Sequence, residues 1–129
     1  MIEPAVVFDA SAVLALLNME RGAEAVEQLA SDAAMSSVNW CEAFGKLRGA
    51  GVPGEALRAE IAETGIAVIP FDRRDAEAAG ELVAPTRAQG LSLADRACLA
   101  LASRLGVPAV TADRAWTALD VDVEVVCIR

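Results

Sequence analysis

The apolar positions of this chain fall into short continuous runs separated by stretches with helical spacing. Ala5, Val6, Val7 and Phe8 form one such run, and residues 4–8 read as a buried strand. "ASAVLALLN" (10–18) predicts a short helix. Residues 21–30 predict a second one, with Ala23, Val26 and Ala30 on one side. "AMSS" (34–37) reads as a short strand that ends at a serine cap, and "VNWCEAFGKLRG" (38–49) as a helix that stops at a glycine. Pro53 opens the next helix and Gly65 closes it. "IAVIPF" (66–71) is a strand. Asp72 then caps a helix running to about Gln89, closed by Gly90. Ser92 caps "SLADRACLALASRLG", which Gly106 closes. "PAVTA" (108–112) and "VEVVCI" (123–128) complete the strands. Strands alternating with helices predict an α/β fold with a mostly parallel sheet covered on both faces. No linker, repeat or low-complexity segment divides the chain, so residues 1–129 are expected to form one domain.

Ligands of open α/β sheets bind beyond the carboxyl ends of the strands. Asp9 follows the first strand at that place, and Asp113 follows "PAVTA" at the equivalent one. Taken singly, an aspartate before a helix is commonly an N-cap. Two more acids lie within helices. Asp95 falls on the apolar stripe of Leu91, Ala94, Cys98, Leu101, Ala102 and Leu105. A carboxylate there is costly unless it is paired, protonated or metal-bound, and Arg96 and Arg104 on the same helix are the candidate partners. Glu42 shares a line with Val38, Gly45 and Gly49, whose small side chains leave room beside it; Trp40, Phe44 and Leu47 face the core on the other side. The remaining acids read as solvated helix faces, or, for Asp72, Asp75, Asp120 and Asp122, as caps and turn residues.

Composition narrows the chemistry. The chain has no histidine, which excludes Ser-His-Asp triads, Cys-His dyads and histidine metal sites. Its net charge is −8 with a single lysine, Lys46, so a passive basic nucleic-acid footprint is not expected. A polyanionic substrate would need positive charge from elsewhere, such as a divalent metal or a basic partner. Cys41, Cys98 and Cys127 are odd in number and far apart, in apolar surroundings, and read as reduced core cysteines rather than disulfides or zinc ligands. No apolar run spans a bilayer and the start shows no secretory signal, so a cytoplasmic protein with no membrane association is expected. Four carboxylates converging without histidine suit Mg²⁺ or Mn²⁺, and a pair of such ions would favour phosphodiester cleavage.

Other acidic or glycine-marked folds fit less well. "GAGVPG" (49–54) matches G-x-G-x-x-G, with Asp72 18 residues after Gly54. The fingerprint needs a buried strand before its first glycine, and "EAFGKLR" is amphipathic and helical instead. A glycine-rich connection between two helices explains it better. A receiver domain would want more acids near the first strand and a late lysine. A haloacid-dehalogenase-like phosphatase would want a second Asp where Ser11 stands.

"VFDASAVLALLN", "SSVNWCEAFGKL" and "LSLADRACLALASRLGVPAVTADRAW" occur in this order. Together they resemble a PIN-domain ribonuclease, most closely a VapC-type toxin of a bacterial toxin–antitoxin pair, over residues 5 to about 128. The resemblance implies a three-layer α/β/α sandwich and a Mg²⁺- or Mn²⁺-dependent endoribonuclease. It implies Asp9 and Asp95 as principal metal ligands, Asp113 completing or supporting the site, and Glu42 ligating or orienting water. Ser11 and Thr111 resemble the small hydroxyl residues beside the acids. Arg114 and Trp116 match the segment after the last acid, and Arg114 is placed with the substrate-binding residues. A cognate antitoxin, with a tail that lies across the site, and a homodimer are also implied; the first two helices would form part of the antitoxin groove. Two other readings stay open: an RNA- or partner-binding module that does not cut, and a phosphatase or flap-type DNA nuclease built on a similar acid cluster.

Overall fold

The computed structural model describes residues 3–129; residues 1 and 2, where the expected domain begins and the reading of the N-terminus starts, lie outside it. In chain order the elements are β1 (Val6–Phe8), α1 (Ala10–Leu17), α2 (Ala23–Ala30), β2 (Ala33–Ser36), α3 (Ser37–Gly49), α4 (Gly54–Thr64), β3 (Ala67–Ile69), α5 (Arg73–Glu81), α6 (Leu93–Leu105), β4 (Ala109–Thr111) and β5 (Val125–Cys127). Single 3₁₀ turns follow α5 at Arg87–Gln89 and β4 at Arg114–Ala118. The strands pair in the order β3-β2-β1-β4-β5, and every pair is parallel.

Alternation along the strands divides the core. Val6, Phe8, Ala33, Met35 and Val110 point to one face and pack with Ala12 and Val13 of α1, Val26 of α2 and Ala43 of α3. Val7, Ala34 and Ala109 point to the other and pack with Cys98, Leu99, Leu101 and Ala102 of α6 and with Trp116. The central strands are therefore buried on both faces, which explains their continuous apolar runs. The result is a helix–sheet–helix sandwich. Its strand order runs outward in both directions from β1 and β4, so the switch point lies between those two strands, where Asp9 and Asp113 emerge.

Three expectations change. The helix predicted from Asp72 to Gln89 ends at Glu81. Pro85 has no N–H to donate and its ring crowds the carbonyl four residues back, so the helix stops and a turn leads to Arg87–Gln89. Asp75 is not a turn residue. It is buried on α5 and accepts from Arg104 of α6 at 2.7 and 3.0 Å. Asp72 does cap α5, its Oδ1 accepting from the Asp75 N–H at 2.9 Å. Cys41 is exposed rather than core, because it lies on the solvent side of α3; Cys98 is buried and Cys127 half-buried. The glycine stretch at 49–54 is, as expected, a connection between two helices, with Gly51 at φ +96°. Among the described residues no helix is long and apolar enough to cross a membrane.

Candidate active site

Asp9 is the first residue after β1 and the N-cap of α1. Parallel pairing holds it in place: its N–H donates to Val110 O of β4 at 3.1 Å. Its carboxylate accepts three hydrogen bonds. Oδ1 takes the Ala12 N–H at 2.9 Å and the Ser11 hydroxyl at 2.7 Å, and Oδ2 takes the Thr111 hydroxyl at 2.6 Å. Ser11 Oγ in turn accepts from the Ala112 N–H at 2.8 Å, and Thr111 Oγ1 from the Asp113 N–H at 3.0 Å. Both hydroxyl protons are thus committed to Asp9, and the backbone after β4 fixes both hydroxyls. Asp9 is only 5% exposed. Burial is the largest influence on it and raises its carboxyl above the usual range; the three hydrogen bonds oppose that rise, and the charge of Asp95 adds to it.

Asp95 reaches this place from the opposite layer. It is the third residue of α6 and forms a capping box with Ser92: Asp95 N–H donates to Ser92 Oγ at 3.1 Å, and Asp95 Oδ2 accepts the Ser92 N–H at 3.0 Å. The arginines considered as its partners go elsewhere. Arg104 pairs with Asp75, and Arg96 donates to Ala79 O at 3.0 Å. The charge of Asp95 reaches Asp9, and among the described residues neither forms an ion pair. Cys98, one turn further along α6, is fully buried beside them. Its thiol is pushed well up by burial first and then by the charges of Asp9 and Asp95.

The other two predicted acids sit further out. Asp113 is exposed and caps the 3₁₀ turn after β4, its Oδ1 accepting from the Ala115 N–H at 3.0 Å. It joins the Asp9 network through its N–H on Thr111. Glu42 lies on α3, half-exposed, and pairs with Lys46 one turn along at 3.4 Å. Arg114 is exposed next to Asp113, and Trp116 is buried in the core.

Asn39 was missed by the sequence reading. It is buried on α3, three residues before Glu42, and its Nδ2 donates to Ala94 O at 2.9 Å, beside Asp95 on α6. Its Oδ1 is buried without a partner among the described residues. Asn39 stands in the first turn of α3, where asparagine is ordinary, so no local signal marked it.

The donor chemistry of the Asp9–Asp95 pair fits a hard cation. Both residues offer only oxygen, and Mg²⁺ is commonly held by one or two carboxylates together with water and substrate phosphate. Among the described residues no group of three or more Asp, Glu, Cys or His could by itself hold a metal ion. The fit is to an ion that keeps much of its water shell rather than to a protein cage.

The PIN domain profile matches residues 6–122, which hold strands β1 to β4 and every residue of the candidate site. This chain belongs to the PIN domain family. Solved structures agree on the fold of this PIN domain. A toxin–antitoxin complex from Klebsiella pneumoniae superposes with a TM-score of 0.71 at 21% identity, covering 96% of this chain and 98% of that one. VapC20 from Mycobacterium tuberculosis, described as a sarcin–ricin loop cleaving toxin, gives 0.70 at 20% identity over 92% and 98%. DNA-bound VapBC from Salmonella typhimurium gives 0.71 at 15% identity over the whole of both chains. No curated protein matches the chain by sequence.

Proposed function

We propose that this PIN domain is a Mg²⁺- or Mn²⁺-dependent endoribonuclease and the toxin of a toxin–antitoxin pair. The observation that carries the reading is the buried Asp9 carboxylate at the switch point of a parallel sheet, within reach of the like charge of Asp95 and free of any cation partner among the described residues. Asp9 and Asp95 would hold the ion, with Asp113 and Glu42 completing the acidic rim. A bound divalent ion neutralises phosphate charge and lowers the pKa of water, the two things an acidic chain needs to hydrolyse an RNA phosphodiester. The chain's own residues supply orientation. Ser11 and Thr111 aim the Asp9 carboxylate, and the capping box with Ser92 sets the rotamer of Asp95. Arg114, exposed beside Asp113, would meet a substrate phosphate.

RNA as substrate and an antitoxin as partner are supported by the similarity to VapC20 and to the toxin–antitoxin complexes. The surface also supports a partner. A cavity of about 520 Å³ between α1, α2 and α4 has an apolar floor of Leu16, Leu17 and Ala30, with Met19 standing 84% exposed at its edge. Glu27, Glu60 and Glu63 rim it, and none of them is in an ion pair among the described residues. Such a groove suits a basic amphipathic segment of an antitoxin. A homodimer belongs to the same proposal.

The test is cleavage of a mixed small-RNA pool by the purified protein with Mg²⁺, with Mn²⁺, with EDTA, and with Asp95→Asn in place of wild type. Discrete cuts that need metal and disappear in the variant are expected. A folded protein, free of partner, that binds RNA in every lane and cuts in none would establish the non-cleaving module instead, a reading that the engagement of Glu42 by Lys46 favours.

A further inference from the structure

The turn that interrupts the predicted 72–89 helix builds something the sequence does not announce. Between this turn and α6 lies a cavity of about 170 Å³ lined by Val83, Thr86, Arg87, Gly90, Leu91 and Arg96. Among the described residues no carboxylate lines it. Arg87 and Arg96 belong to none of the ion pairs among the described residues. In a chain with eight excess negative charges, two cations without carboxylate partners share one small cavity.

The arrangement is organised. Arg96 is half-buried and its Nη1 donates to Ala79 O at 3.0 Å, the one side-chain hydrogen bond it makes among the described residues. That bond holds the guanidinium in place while its other N–H groups remain for a second acceptor. Thr86 is buried and spends its hydroxyl proton on Leu82 O, which fixes the turn that presents Arg87. Gly90 has φ +60°, and a Cβ built there would meet nothing within 4 Å, so this side of the cavity is open.

We propose that this cavity is a phosphate site, and that it takes a backbone phosphate of RNA flanking the one that reaches Asp9 and Asp95. Guanidinium forks match pairs of phosphate oxygens and stay charged at any physiological pH. The volume is below the roughly 300–1,000 Å³ of sites for whole drug-sized ligands, which suits a compact anion. Arg96 directly follows Asp95 on α6, about 100° further round the helix, so a strand anchored here is held one helix face away from Asp95. Phosphate contacts of this kind set register and orientation without reading sequence. The choice of RNA as the source of the phosphate rests on the nuclease reading; the anion site itself does not.

The experiment has two arms. In the first, wild-type protein in EDTA, where nothing is cut, is titrated into a labelled single-stranded RNA at several salt concentrations. Arg87→Glu, an exposed position whose folding is checked by its thermal melt, is compared with Arg73→Glu, the same charge change on the exposed face of α5. Arg87→Glu is expected to weaken binding by about tenfold and to flatten the log–log salt slope by about 0.7 per lost contact. Arg73→Glu is expected to stay within about twofold. Equal effects of the two variants, or none, overturn the RNA site and leave metal-dependent cutting as an independent question. In the second arm, inorganic phosphate is titrated while the Nε–Hε signals of Arg87 and Arg96 are followed by NMR. Saturable shifts that Arg87→Glu abolishes support the anion site even where RNA does not bind, in which case the RNA reading fails alone. Absence of shifts overturns the anion site.

Discussion

Thr111 Oγ1 donates to Asp9 Oδ2 at 2.6 Å across 102 positions of sequence, joining the carboxyl ends of β1 and β4 through a buried hydroxyl. The same oxygen accepts the Asp113 N–H, so one side chain holds the central carboxylate and the start of the segment carrying Asp113. Thr111→Val keeps the shape and removes both bonds. It is expected to cost about 1–3 kcal/mol in urea unfolding and to weaken Mn²⁺ binding, with Thr111→Ser restoring both.

Asp9→Asn is expected to melt no lower than wild type in EDTA. Asparagine caps a helix as well as aspartate does, and the substitution removes a buried charge and its repulsion with Asp95, which offsets the Thr111 bond that an amide nitrogen cannot accept. Mg²⁺ should raise the melting temperature of wild type and leave the variant unmoved. A large drop in the variant without metal would assign Asp9 a mainly structural role.

The raised carboxyl of Asp9 also sets a pH dependence. Its folded pKa lies above the ordinary 3.8, so between the two values the folded state binds more protons than the unfolded one. Stability contributed by this group is therefore present below 3.8 and is lost as pH rises through the folded value. Metal-free wild type should show this downward contribution with rising pH, and Asp9→Asn should lack it. The difference between their unfolding free energies across an acid-to-neutral series measures it.

Arg104→Ala should be far more damaging than its partly exposed position suggests. It strands the Asp75 carboxylate, 2% exposed, between α5 and α6. Breaking such a pair costs about 3–5 kcal/mol, whereas replacing both partners together with Met at 104 and Leu at 75 should recover most of that loss. Chemical denaturation of the two variants separates the outcomes.

Charge reversal at the rim of the groove, Glu60→Lys with Glu63→Lys, should slow association of a basic antitoxin segment severalfold and leave RNA cleavage by the free protein intact. Surface-bound kinetics at two salt concentrations read the first effect, and the RNA-pool assay the second.

Much of this fold was legible because the local rules agreed with one another. β1, β2 and β4 are continuous apolar runs, since they are buried on both faces. The caps at Asp9, Asp72 and Ser92 are found where the sequence expects them, and the serine cap of α3 falls one residue earlier, at Ser36 instead of the end of the 34–37 run. The acids at the ends of β1 and β4 were visible for the same reason, as each follows directly on a readable strand. What failed did so where one local signal was outweighed by another. The helical spacing after Asp72 hid the effect of Pro85, and Asp75 resembled any first-turn acid until Arg104, 29 residues away, was seen against it.

The sequence by itself determined the order of strands and helices, the all-oxygen chemistry and the residues that cap the elements, because those depend on neighbours within a turn or two. Only the tertiary structure decided which acids meet. The charge of Asp95 reaches Asp9 because β1 lies at the centre of the sheet with α6 packed across it, while Glu42 turns to Lys46 and Asp113 to its own 3₁₀ turn. The cavity of Arg87 and Arg96 likewise exists only because the chain breaks after α5 and returns over α6. Pairing of side chains far apart in sequence depends on the packing of whole layers, and no local pattern of residues encodes that distance.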